Sequence, residues 1–278
     1  MSFSFLRRFY IISLCGLCFY TPAQAQESAT APDAPAVRAR LISGVTGTGD
    51  LATLPAGLQV TLAEGWHTYW RTPGDSGVAP TFDWEQSRNV AAVDIGWPVP
   101  VRLQEEGLYV YAYNQNTLLP LTITPQEAGK EVVLWLKLQA LACLKICVPH
   151  QLSAQLTIPA GAAEPTDHQS AIDLAREGLA HRDEVPSLKL NAAVLGMENL
   201  ALTAYSEGGF SGAQAFIEST GLSLAMPPEI IPSDKNPREA IIRISVPKGT
   251  DLTNELLGQT IRVTLAAGGQ AVEKEFGF

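Results

Sequence analysis

The feature that most restricts the fold of this chain is the alternation of apolar and polar residues in short runs cut by Gly and Pro. Between Val37 and Pro159 it recurs in "GLQVTLAEGW", "LLPLTITP", "EVVLWLKLQAL" and "QLSAQLTIP". Leu58, Val60 and Leu62 alternate with polar residues, and Leu134, Leu136 and Leu138 do so in part. A repeat of two sends successive side chains to opposite faces, so each run reads as a half-buried antiparallel strand, and the close spacing of turns suits a sandwich. The same pattern returns beyond Pro186, in "SLKLNAAV", "NLALTAYS", "AQAFIEST", "AIIRISVP" and "QTIRVTLAAG".

Between the two regions, "PAGAAEPTDHQSAIDLAREGLAHRDEVP" breaks the alternation. Its Pro, Ala and Gly lead into a predicted helix from Thr166 to Ala180, with Thr166 or Asp167 as the cap and Ile172, Ala175 and Leu179 on one face. The expected organisation is a first sandwich domain over residues 37–160, a helical linker over 161–185 and a second sandwich domain over 186–278. The second region holds no cysteine and no histidine, and no catalytic constellation is apparent in it.

The chain opens with Arg7 and Arg8, the apolar run "FYIISLCGLCFY" and Ala23-Gln24-Ala25, the layout of a cleavable secretory signal. The apolar run is well short of the roughly 20 residues that cross a bilayer as a helix. An exported, soluble protein starting near Gln26 is expected, with residues 26–36 as a disordered tail. Loss of the signal removes two arginines and no acid, so Lys+Arg falls from 19 to 17 against 28 Asp+Glu, and the formal charge moves from −9 to −11. That balance argues against nucleic acid and anionic membrane surfaces as partners.

Cys15 and Cys18 leave with the signal, so Cys143 and Cys147, in "LACLKICVPH", are the cysteines that remain. Export places them where disulfides persist. Fully extended, they stand about 13 Å apart at roughly 3.3 Å per residue, whereas a disulfide needs Cα atoms within about 4.4–6.8 Å. Pairing therefore requires Leu144-Lys145-Ile146 to turn between two strands, at an end of the sandwich. Such a small loop contributes only about 2 kcal/mol in the chain-entropy picture, a weak staple. Lys145 between the cysteines, and His150 three residues beyond, are candidates to tune a thiolate, because positive charge nearby lowers a thiol pKa. Cys143, Cys147 and His150 are also soft ligands suited to copper. Three readings stay open on the residues alone: a redox centre without a cofactor, a copper site, and a structural disulfide in an interaction module.

Aromatic residues gather nearby in sequence. "GWHTYWRTPGDSG" carries Trp66, His67, Tyr69 and Trp70 before a turn-rich loop of Pro73, Gly74, Asp75 and Gly77. Trp66 and Trp70 share a strand face and are expected in the core, while the loop is a candidate wall beside the cysteines. His67, His168 and His181 are scattered and support no hydrolase triad.

Three segments in order, "GWHTYWRTPGDSGVAPTFDW" (65–84), "YAYNQNTLLPLTI" (111–123) and "CLKICVP" (143–149), resemble the N-terminal periplasmic domain of the DsbD and ScsB thiol-disulfide reductases, the ScsB branch in particular, over residues 37–160. The resemblance implies an all-β chain of two immunoglobulin-like β-sandwich domains joined by a short helical linker, since a second β-rich domain follows the first in ScsB-type proteins. It implies that Cys143 and Cys147 shuttle between dithiol and disulfide in the periplasm. It implies partners among periplasmic thiol-disulfide oxidoreductases and a membrane electron-transfer protein, expected here as a separate gene product because the sequence stops at Phe278. In DsbD an aromatic cap loop shields the disulfide, and Tyr109, Tyr111 and Tyr113 occupy a similar place in the order of motifs.

Overall fold

The computed structural model describes residues 36–182, 185–246 and 249–278. The signal-like segment lies outside the described residues, as does the expected tail except for Ala36, which is buried at the start of the first strand.

The first ten strands are β1 (Val37–Ser43), β2 (Leu54–Leu62), β3 (His67–Gly74), β4 (Thr81–Asp83), β5 (Ala92–Ile95), β6 (Val101–Glu105), β7 (Leu108–Tyr113), β8 (Thr117–Thr124), β9 (Val132–Cys143) and β10 (Cys147–Ile158). They form one sheet in the order β1-β2-β8-β5 and a second in the order β10-β9-β3-β7-β6, with β4 added to β9. The alternation seen in sequence is what packs them: Leu58 and Val60 of β2 and Leu134, Leu136 and Leu138 of β9 enter one core together with Trp66 and Trp70, as expected for both tryptophans. Leu62, at the strand end, is only partly buried.

The helical segment differs from expectation in length and start. Helix α1 covers Gln169–Glu177, with His168 at its N-cap and no side-chain cap. Thr166 is otherwise engaged, because its hydroxyl donates to the Ser43 carbonyl at 2.6 Å and accepts from His168 N at 3.2 Å. Ile172 is fully buried against the first sandwich beside Gly57, where a Cβ would come within 2.7 Å of Leu118 Cδ1. Arg176 donates to the Leu121 carbonyl at 2.7 Å. The segment read as a linker is thus fastened to the sheet face formed by β2 and β8.

The remaining elements are β11 (His181–Arg182), β12 (Leu188–Leu195), β13 (Asn199–Ser206), β14 (Gln214–Glu218), β15 (Glu229–Pro232), β16 (Glu239–Ser245), α2 (Leu252–Leu256), β17 (Thr260–Ala267) and β18 (Gln270–Gly277). They make two further sheets, β11-β18-β17-β14 and β12-β13-β16-β15, around a second core. The architecture is all-β and immunoglobulin-like, in agreement with the alternation. Helix α2 falls between the runs "AIIRISVP" and "QTIRVTLAAG", where the sequence reading placed turn residues, and Asp251 caps it by accepting from Asn254 N at 3.2 Å.

The two sandwiches meet through side chains that neither sequence pattern flags. Phe216 of β14 is fully buried and joins the first core, edge-on to Tyr111 with ring centroids 5.1 Å apart. The Tyr111 hydroxyl donates to the Leu224 carbonyl at 3.3 Å and accepts from Ile217 N at 3.2 Å. Arg71 reaches across to Glu218, with Nη2 to Oε1 at 2.6 Å, and to Glu273. Arg102 donates to the Ala225 carbonyl at 2.9 Å.

Candidate redox site

Strands β9 and β10 form a long hairpin, and its closing pair is Cys143 opposite Cys147. Leu144-Lys145-Ile146 makes the turn that the spacing demanded. The two cysteines are joined as a disulfide, with Cα atoms 4.1 Å apart. Their environments are unequal. Cys143 is 3% exposed and packs with Tyr69 and Val110, whereas Cys147 faces solvent.

Strand β3 supplies the immediate neighbours, because His67 pairs directly with Cys143 across the sheet. The period of two that sends Trp66 and Trp70 into the core sends His67 and Tyr69 to the other face. The Tyr69 hydroxyl lies 3.3 Å from Cys143 Sγ and 3.8 Å from Cys147 Sγ, and donates to Glu105 Oε2 at 3.4 Å. A disulfide sulfur and a carboxylate carry no hydrogen to give, so all three are acceptors that compete for the single proton of the hydroxyl. Burial, reinforced by the Glu105 carboxylate, pushes the Tyr69 hydroxyl up to about 12, which keeps its proton in place at neutral pH.

Glu105, at the end of β6, also stands 2.8 Å from His67 Nε2. The contact is a close approach of the two groups without the alignment of a hydrogen bond. Burial outweighs Glu105 and draws the His67 imidazole below its ordinary 6.5, so it is mainly neutral at pH 7. The His67 and Tyr69 rings meet edge to face, with centroids 5.6 Å apart.

These groups line a cleft of about 890 Å³ that also takes in Gly77, Val78, Leu108, Leu144 and Lys145. Gly77 lies flat on the Tyr69 ring: its φ is +94°, and a Cβ there would come within 2.2 Å of Tyr69 Cε1. The turn-rich loop is therefore a wall of the site, as its composition suggested. Val78, Leu108, Leu144 and Ile146 are 60%, 46%, 51% and 72% exposed and give the disulfide an apolar surround. Of the two sulfurs, that of Cys147 belongs to the exposed residue and that of Cys143 lies buried beside the Tyr69 hydroxyl.

The family model described as "Thiol:disulfide interchange protein DsbD, N-terminal" matches residues 48–159, a span that holds the whole hairpin, both cysteines, His67, Tyr69 and Glu105. Residues 48–159 are a DsbD N-terminal domain. The crystal structure of the N-terminal periplasmic domain of ScsB from Proteus mirabilis is similar at 19% identity, covering 89% of this chain and 95% of that one with a TM-score of 0.65, which shows a shared fold through both sandwiches. A marsupial T cell receptor aligns at 13% identity over 87% of this chain and 97% of that one, with a TM-score of 0.23 that carries no argument. No curated protein matches the sequence. As a DsbD N-terminal domain, the first sandwich is a thiol-disulfide interchange domain.

Within this DsbD N-terminal domain, the structure separates the residues that the sequence offered as neighbours of the cysteines. Lys145 is exposed on the turn and lines the cleft. His150 does not line it: three residues along β10 from Cys147, it projects from the opposite face, and among the described residues no cluster of three His, Cys, Asp or Glu side chains is placed to hold a metal. Tyr109, Tyr111 and Tyr113, offered as a cap, do not line the cleft. They alternate on one face of β7, and that face turns away: Tyr111 is buried against Trp70 and Phe216, and the Tyr113 hydroxyl donates to the Pro98 carbonyl at 2.7 Å. It is Val110, on the opposite face of β7, that packs with Tyr69 and Cys143. Glu105 escaped the sequence reading, having no local signal and lying 36 residues from Tyr69. His67 and Tyr69 had one, since they alternate with two core tryptophans and so had to share the other face.

Proposed function

We propose that the chain is an exported, periplasmic thiol-disulfide exchange protein whose Cys143–Cys147 pair accepts electrons from one oxidoreductase and delivers them to another. The observation that carries this is the asymmetry of the pair: an exposed Cys147 sulfur in an apolar surround, and a buried Cys143 sulfur under the Tyr69 hydroxyl. A partner thiolate attacks Cys147 Sγ in line with the disulfide; a new S–S bond forms, the old one breaks, and its electron pair leaves on Cys143 as a thiolate. The partner's second thiol then attacks its own sulfur in the mixed disulfide and releases reduced Cys147. Two electrons pass to this chain and the partner is left oxidised.

Export is supported by the signal-like start of the sequence and by the periplasmic origin of the similar ScsB domain. The partner class is a periplasmic thiol-disulfide oxidoreductase whose active cysteine sits in an apolar surface able to cover Val78, Leu108, Leu144 and Ile146.

Trapping tests the proposal. Cys143→Ser leaves the accessible Cys147 thiol without its resolving partner and is expected to accumulate a mixed disulfide in cells, while Cys147→Ser, with its remaining thiol buried, is expected to capture far less. Absence of any mixed disulfide in both variants, with the wild-type pair permanently oxidised, would overturn it.

A further inference from the structure

A chain of contacts runs from the second sandwich to the loop beside the redox site. The segment Ser223–Ala225 emerges from it and is gripped by the first sandwich, through Arg102 to the Ala225 carbonyl and Tyr111 to the Leu224 carbonyl. The Ser223 hydroxyl donates to Asp75 Oδ1 at 2.5 Å. The other oxygen of the same carboxylate, Asp75 Oδ2, accepts from Tyr109 N at 2.8 Å, and Asp75 N donates to the Tyr109 carbonyl at 2.9 Å. One residue earlier, Gly74 has φ +92° and sits against Ala225, whose Cβ would be 3.1 Å from a Cβ at that glycine. Two residues later, Gly77 is pressed on the ring of Tyr69, the residue whose hydroxyl lies between both sulfurs and Glu105.

We infer that the second sandwich is a positioning element of the redox centre: Ser223, by holding Asp75, fixes the Gly74–Val78 loop and so fixes the Tyr69 hydroxyl over Cys143. The loop has glycines at both ends of its turn, each in the left-handed region, and such a segment does not hold one conformation by itself. Asp75 restrains it from two sides, one in its own sandwich and one in the other. Without the Ser223 contact the loop keeps its attachment to β7, and the strand before it keeps the bonds of Arg71 and Thr72 to Glu218, but Asp75 loses its tie to the second sandwich. Ser223 and Asp75 act through Tyr69 and touch no reacting atom. The inference rests on the redox reading of the disulfide and assigns that site a support outside the DsbD N-terminal domain.

The test uses the full chain and the rate at which dithiothreitol reduces Cys143–Cys147. One thiolate of the reagent attacks Cys147 Sγ, Cys143 leaves as a thiolate, and the second thiol closes the reagent's ring and frees Cys147, so the chemistry is balanced without a protein partner. Because Cys147 is already exposed, loosening the loop does not improve access; it withdraws the hydroxyl from the departing sulfur. Ser223→Ala and Asp75→Asn are each expected to slow reduction about fivefold, the order of one hydrogen bond. In a Tyr69→Phe background neither is expected to slow it further, which general loosening of the fold would not produce. An unchanged or faster rate in the Tyr69 protein, or equal slowing in the Tyr69→Phe background, would overturn the inference. Reduction by dithiothreitol does not depend on a cellular partner, so this outcome is independent of the Cys143→Ser trapping result that decides the redox reading itself.

Discussion

Replacing Tyr69 with Phe isolates the most specific chemical feature of the site. In the oxidised protein the hydroxyl bonds weakly to sulfur, because a neutral disulfide is a poor acceptor. During exchange Cys143 becomes a thiolate, and at 3% exposure water does little to solvate it. The hydroxyl 3.3 Å away then donates a charge-assisted hydrogen bond, a type of bond that contributes about 1.5–3 kcal/mol. At about 1.4 kcal/mol per factor of ten, its loss corresponds to a slowing of about 10- to 150-fold. Glu105 competes for the same proton at 3.4 Å, which favours the lower end, about tenfold. The assay is reduction by excess dithiothreitol, quenched with an alkylating agent and read by mass. Phe keeps the ring, its contact with Gly77 and its edge-to-face packing on His67, so folding stability is expected to change by less than about 1.5 kcal/mol. A rate within twofold of wild type in a protein of unchanged stability would refute the argument that Tyr69 stabilises the departing sulfur.

Further outcomes follow from neighbouring contacts. Gly77→Ala places a methyl group inside the Tyr69 ring at a positive φ and is expected to cost about 1–3 kcal/mol in urea unfolding. Arg71→Ala leaves Glu218, 12% exposed, without its cation at the junction and Glu273, 15% exposed, with Arg262 at 3.5 Å; a loss of about 3 kcal/mol is expected, measured by the same titration. His67 has its folded pKa drawn below 6.5 by burial, so the unfolded chain binds its proton more readily. Its contribution is present above 6.5 and is lost as pH falls through the folded value. Unfolding free energy is therefore expected to decline from pH 7 towards pH 5, and His67→Gln to flatten that decline.

The hairpin at the centre of the site was legible residue by residue. "EVVLWLKLQAL" and "QLSAQLTIP" both carry the two-residue repeat, and the three residues between Cys143 and Cys147 leave room for a turn and nothing else if they pair. The same repeat places His67 and Tyr69 opposite Trp66 and Trp70. The repeat says which residues share a face, though, and not where that face looks. The resemblance offered three alternating tyrosines on β7 as a cap by their place in the order of motifs, whereas Val110 on the other face is the residue that packs with Cys143. The shorter α1 has a related cause: Thr166 carries a capping signal, but a tertiary bond to Ser43 claims it and moves the helix start to Gln169.

The sequence by itself determined most of the strands and the turn that Cys143 and Cys147 need if they pair, because periodicity and turn chemistry act over a few residues, and the order of three motifs carried the resemblance to the thiol-disulfide family. Only the tertiary structure decided which sulfur is buried, which tyrosine and carboxylate stand beside it, and that a serine of the second sandwich reaches the loop over them. Those contacts join residues tens of positions apart, and they depend on how β3, β6 and β9 are registered in one sheet and on how two cores close around Phe216. No local pattern encodes either, since both are settled by which packed arrangement buries the most apolar surface while leaving the polar groups bonded.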